Sequence, residues 1–133
     1  MNTFTKTTVL GLAGAAALIS LTPAMASARD DDVRTSGSCS GRSTWKMKAQ
    51  SEDNNKLEAE FEVDSNVNGQ TWNVVLRNNG VVVWRGSRTT VAPSGSFEVN
   101  RLIANQAGSD TITGRATNPV TGEVCRGRVV YPG

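Results

Sequence analysis

From Thr44 onward, apolar and polar positions alternate with a period of two, the mark of half-buried strands rather than helices. Trp45, Met47 and Ala49 alternate with Lys46, Lys48 and Gln50. Leu57, Ala59, Phe61 and Val63 alternate with Lys56, Glu58, Glu60 and Glu62. Between these runs Ser51–Asn55 reads as a polar loop. Closing it as a hairpin sets Lys48 opposite Glu58, Lys46 opposite Glu60, Trp45 opposite Phe61 and Met47 opposite Ala59. Charge pairs then gather on one face and bulk on the other, which favours this register over a one-residue slip.

The same pattern predicts five further strands. Thr71–Arg77 meets Val81–Gly86 through Asn78-Asn79-Gly80, read as a type I turn with Gly80 in the left-handed position. That register pairs Leu76 with Val82 and Val74 with Trp84 on the inward face, which Trp72 shares. A polar link, Ser87–Gly95, contains Pro93 and leads to a fifth strand around Ser96–Ile103. The sixth covers Asp110–Thr117, Asn118–Gly122 is a turn, and the seventh is Val124–Tyr131. Seven short strands without a helical stripe predict an all-β, seven-stranded antiparallel β-sandwich of immunoglobulin-like or fibronectin-III-like layout. Its expected sheets are strands one, two and five against strands four, three, six and seven.

Residues 1–26 read as a secretory signal peptide. Lys6 gives a positive start, an apolar run extends to Leu21, and Ala24, Ala26 and Ala28 offer cleavage after Ala26 or Ala28. The run falls short of the roughly 20 residues that a membrane span needs. The expected product is secreted and extracellular, with no membrane attachment after cleavage. Residues 27–38, including Asp30-Asp31-Asp32, read as a flexible charged leader, and residues 39–133 as the sandwich domain. The two cysteines, Cys39 and Cys125, are expected to form a disulfide in that oxidising compartment. It would close a loop of about 87 residues, a stabilisation on the order of 4–5 kcal/mol in the chain-entropy model.

Charge narrows the function classes. Lys and Arg total 14 against 12 for Asp and Glu, and losing Lys6 with the signal reduces the net charge from +2 to +1. A balance so near zero argues against nucleic acid as a partner. The chain has no histidine, which removes His-based triads, His metal sites and His proton shuttles, and two cysteines do not make a Cys-only zinc site. The row Glu58, Glu60, Glu62 and Asp64 lies on one strand face opposite lysines and reads as a salt-bridged surface. The expectation is therefore a non-enzymatic protein with no cofactor and no metal site.

One asymmetry points to binding. Pairing the last two strands so that Ile112 faces Val129, Gly114 faces Gly127 and Ala116 faces Cys125 turns Arg115, Arg126 and Arg128 outward. The outward positions of the third and fourth strands include Val75, Arg77, Val81, Val83 and Arg85. One sheet face thus carries five arginines, Arg77, Arg85, Arg115, Arg126 and Arg128, while the opposite face carries Glu58, Glu60, Glu62 and Glu98. Guanidinium forks suit carboxylate or phosphate partners, and exposed valines beside them mark a contact surface. The glycine pair is expected to make room for a tryptophan ring from the other sheet.

The segments Cys39–Gly41, Ser43–Lys46, Phe61–Asp64, Gly69–Trp72, Ala92–Phe97, Ala116–Asn118 and Gly122–Cys125 carry a further signal. Through them, residues 39–131 resemble small secreted actinobacterial β-sandwich proteins of uncharacterised function. The resemblance implies compartment and fold, and no activity. Together these readings predict a monomeric secreted interaction module that contacts an anionic cell-wall polymer or an acidic protein. Two alternatives stand beside it: a binder of carbohydrate or small apolar ligands at a tryptophan-lined site, and an inhibitor of a secreted hydrolase acting through Ser87–Gly95.

Overall fold

The computed structural model describes residues 31–133, so the signal peptide expected over residues 1–26 lies outside the described residues. These hold eight strands and no helix: β1 (Val33–Ser38), β2 (Thr44–Glu52), β3 (Lys56–Asp64), β4 (Thr71–Asn78), β5 (Val81–Thr89), β6 (Ser96–Ala104), β7 (Asp110–Thr117) and β8 (Val124–Tyr131). They form two antiparallel four-stranded sheets, ordered β1-β2-β3-β6 and β5-β4-β7-β8. The partition expected from the pattern holds for β2 to β8, and the strand count is corrected from seven to eight.

The added strand, β1, lies inside the segment read as a flexible leader. Its sequence carries a single aliphatic residue, Val33, so local pattern does not announce it. It forms because β2 offers an open edge, with Val33 opposite Ala49 and Ser38 opposite Thr44. Gly37 allows the Trp45 ring to lie against the strand, since a Cβ there would stand 2.8 Å from the indole. Thr35 Oγ1 donates to the Arg128 carbonyl at 2.7 Å, tying β1 to the other sheet. Just before β1, the Asp31 carboxylate accepts from the Ser51 hydroxyl and from Tyr131 Oη at 3.0 Å. The acidic run is thus an anchor at this residue, not a solvated tail.

Both hairpins close more tightly than expected. Asn54 and Asn55 take φ of 61° and 58°, a left-handed conformation that asparagine tolerates, so Glu52 pairs with Lys56. Lys48 consequently sits opposite Glu60, Lys46 opposite Glu62, Met47 opposite Phe61 and Trp45 opposite Val63. The shift from the expected register is even, and an even shift keeps every side chain on its face. In the second hairpin Asn79 and Gly80 both have positive φ, 51° and 85°. The turn therefore has two residues, of the kind Asn-Gly favours, and Asn78 pairs with Val81. A bulge between Leu76 and Arg77 then restores the inward setting of Trp84, which faces Leu76 rather than Val74. Val82, expected inward, pairs with Arg77 and is 40% exposed.

Between the sheets lies one apolar core. Phe61, Leu57, Val63, Met47 and Val99 meet Trp72, Val74, Leu76, Ile112 and Val129, all essentially solvent-free. Trp45 and Trp84 are half-buried against its margin. Gly114 and Gly127 face each other across β7 and β8 as expected. A Cβ on Gly114 would stand 2.7 Å from the Phe61 ring, and one on Gly127 2.9 Å from Met47 and from Trp45. Bulk on one sheet is thus seated in hollows of the other. The Cys39–Cys125 disulfide is formed and joins residues 86 apart. Beside it Glu123 accepts from Gly41 N, Ser43 N and Ser43 Oγ at 2.8–3.0 Å, capping the loop after the bond.

Candidate functional site

All five predicted arginines stand on the outer face of the β5-β4-β7-β8 sheet, where strand pairing arranges them in two rows. Arg85 of β5 is opposite Val75 of β4, which is opposite Arg115 of β7, which is opposite Arg126 of β8. In the next row Arg77 of β4 is opposite Thr113 of β7, which is opposite Arg128 of β8. Arg85, Arg115, Arg126 and Arg128 are exposed and Arg77 is half-buried. The outward positions of these four strands carry no carboxylate. Among the described residues none of the five arginines forms an ion pair. Val82, opposite Arg77, extends the face at one corner at 40% exposure, with Val83 next to it in the chain, while Val81, expected outward, lies opposite the buried Asn78 on the inner side.

The outer face of β1-β2-β3-β6 is built differently. Lys48 Nζ lies 2.5 Å from Glu60 and 3.8 Å from Glu58, and Lys46 Nζ lies 3.8 Å from Glu62. Arg34 is 3.0 Å from Asp32. Glu98 of β6 is opposite Glu62 of β3 and forms no ion pair among the described residues. Arg34, Lys46, Lys48, Glu60, Glu62 and Glu98 line a shallow groove of about 410 Å³. Partial desolvation there, reinforced by Glu60 and Glu62, pushes the Glu98 carboxyl above the usual glutamate range. Burial works in the same direction on Glu60 and is its largest single influence, but the hydrogen bonds with Lys48 and Glu98 and the nearby Lys48 charge together outweigh it and hold that carboxyl below the usual range. The reciprocal hydrogen bond raises Lys48.

The tryptophans offer no open platform. Trp72 is fully buried, Trp45 packs on Gly37 and Gly127, and the half-buried Trp84 ring is approached by Arg88 at 4.7 Å and Arg101 at 6.0 Å. The Ser87–Gly95 link is shorter than expected because β5 runs through Thr89. Its remainder is pinned by Thr90, whose hydroxyl donates to the Val67 carbonyl at 2.6 Å and accepts from Gln70 N at 2.9 Å.

Sequence reasoning brings the arginines to one face and leaves their neighbours undefined. The juxtaposition of Arg115 with Arg126 follows from a local hairpin register. Arg85 and Arg77 join them only because β4 packs beside β7, a contact remote in sequence. Asp31 and Glu123 have no sequence signal, since their partners are 20 to 100 residues away. Comparison with protein-family models, with curated proteins and with solved structures found no match to this chain.

Proposed function

We propose that this chain is a secreted, monomeric, non-enzymatic interaction module that holds an anionic partner on the arginine face. The partner is an anionic cell-wall polymer or an acidic protein. The observation that carries the reading is the set of five arginines on one sheet face, none of them neutralised by a described carboxylate. A face that only had to stay soluble would be served by mixed charge, as the other sheet is. The disulfide agrees with an oxidising, extracellular setting, as does the resemblance of residues 39–131 to small secreted actinobacterial proteins. We read the seven strands from β2 to β8 as an immunoglobulin-like or fibronectin-III-like arrangement, with β1 added to one edge.

Sedimentation of the domain with isolated bacterial cell walls, at low and high salt, tests the proposal. Binding at low salt that high salt releases, and that is lost when all five arginines become glutamine, is the expected result. Exposed charge contacts weaken once ionic strength shortens the screening length from about 30 Å at 0.01 M to about 3 Å at 1 M. Wild-type protein that stays in the supernatant at low salt overturns the wall polymer. Absence of binding to acidic proteins in the same buffer then overturns the face as a working surface.

A further inference from the structure

Resting on the arginine face as the working surface, we infer that its centre is a phosphate clamp, Arg115 with Arg126. The polymer it selects is a phosphodiester chain without nucleobases. The first observation is the pairing itself. Arg115 and Arg126 are directly opposed across β7 and β8, which places their Cα atoms about 4.5–5.5 Å apart. Directly opposed like charges destabilise a strand pair, and here no described carboxylate relieves them. An external oxyanion does.

A single guanidinium fork takes two oxygens of either a carboxylate or a phosphate, so two opposed forks hold either group and the spacing of the arginines selects between polymers. Arg128 follows Arg126 on the same face of β8, about 7 Å along the strand. That is comparable to the span of a three-carbon polyol between successive phosphates. Arg85, two strands from Arg115 with Val75 between them, is about 9–10 Å away, and Arg77 is equally far from Arg128 across Thr113. These outlying arginines widen the basic field, while the three at the β7/β8 side form its dense part.

What the face lacks narrows the polymer further. Single-stranded nucleic acids are held by aromatic rings that stack the bases as well as by charge. No aromatic side chain projects from this face: Trp72 and Trp84 belong to the inner side of the sheet, and Tyr131 packs against the core. The apolar residues beside the arginines are the short Val82 and its neighbour Val83, with no tryptophan or leucine to enter a bilayer interface. A polyol phosphodiester chain in solution fits both facts.

The test titrates the folded domain at low salt with four probes: poly(glycerol phosphate), polyglutamate of matched length and charge, oligothymidylate, and phosphatidylglycerol vesicles. Two variants run beside wild type, R115Q/R126Q and R77Q/R85Q, each first shown to melt no lower than wild type. The expected result is tightest binding to poly(glycerol phosphate), by about tenfold over polyglutamate, with R115Q/R126Q losing about tenfold and R77Q/R85Q about threefold. Both variants remove two charges, so bulk attraction predicts equal losses and the clamp predicts unequal ones. Equal losses, or equal affinity for polyglutamate, overturn the clamp and leave the arginine face standing. Tighter binding to oligothymidylate or to vesicles overturns the polymer assignment in favour of that partner. Failure to bind any of the four overturns the face itself.

Discussion

The two outer faces of this protein are built on the same four-stranded scaffold and solve opposite electrostatic problems. On the β1-β2-β3-β6 face, Lys46 and Lys48 stand opposite Glu62 and Glu60, so charge is largely settled within the molecule. On the β5-β4-β7-β8 face, Arg115 stands opposite Arg126 and neither forms an ion pair among the described residues. A face whose charges are paired at home has little to offer a partner, since binding would first have to break those pairs. A face held at one sign keeps its hydrogen-bonding capacity for something outside. The near-zero net charge of the chain conceals this division, because the two faces offset one another.

Beneath both faces lies the core, and the largest expected effect on stability comes from disturbing it. Gly114→Ala drives a methyl into the Phe61 ring, and overpacking of this kind destabilises by about 1–3 kcal/mol. Chemical denaturation of the variant measures the loss. An unchanged midpoint would mean that the sheets slide apart freely and that the arginine rows have no rigid platform.

The comparison of the faces is sharpened by Lys48→Met. Its ammonium is half-buried between Glu58 and Glu60, and removing it leaves two adjacent carboxylates without their cation. The expected loss is about 1 kcal/mol, at the top of the range for exposed pairs and below that of charge-assisted hydrogen bonds. If this variant melts at the wild-type temperature, the paired face is no more self-sufficient than the arginine face.

The smallest effect concerns Glu98, which shares a hydrogen bond with Glu60 and forms no ion pair among the described residues. Its folded-state pKa lies above the ordinary 4.5, so the folded protein holds that proton more tightly than the unfolded chain does. The contribution to stability is fully present below 4.5 and is lost as pH rises through the folded pKa. Glu98→Gln is therefore expected to stabilise the protein by a few tenths of a kcal/mol near neutral pH and to flatten the melting temperature across that window. Asp31 acts with the opposite sign. Its hydrogen bond from Ser51 lowers its pKa below 3.8, so its stabilisation is present above that value and is lost as pH falls through the folded pKa. Melting curves of both proteins from acid to neutral pH separate the two groups, and a Glu98→Gln curve parallel to wild type would deny Glu98 the assigned role.

How much of this was legible in the chain can be judged from particular strands. Period-two alternation identified β2 to β8 and sorted Trp72, Phe61 and Leu76 from Glu58, Glu60 and Arg115, because the pleat sends alternate residues to opposite faces whatever the partner. The β7/β8 register, Ile112 to Val129, was legible for the same reason, with the two glycines and Cys125 in line. Turn chemistry was less decisive. Asn54 and Asn55 adopt left-handed conformations, and the Asn79-Gly80 turn is offset by a bulge, so both registers moved while the faces of most residues did not.

The alternation of side chains thus determined the all-β class, the core set and the five arginines of one face, since period and handedness of the strand are local properties of the backbone. Only the tertiary structure decided the rest. It recruited Val33–Ser38 as an edge strand, because a polar segment becomes a strand when β2 offers it unpaired backbone groups. It set Arg85 in line with the Arg115–Arg126 pair across Val75, and Glu98 against Glu62, because strand order and register bring residues that are far apart in sequence onto neighbouring strands.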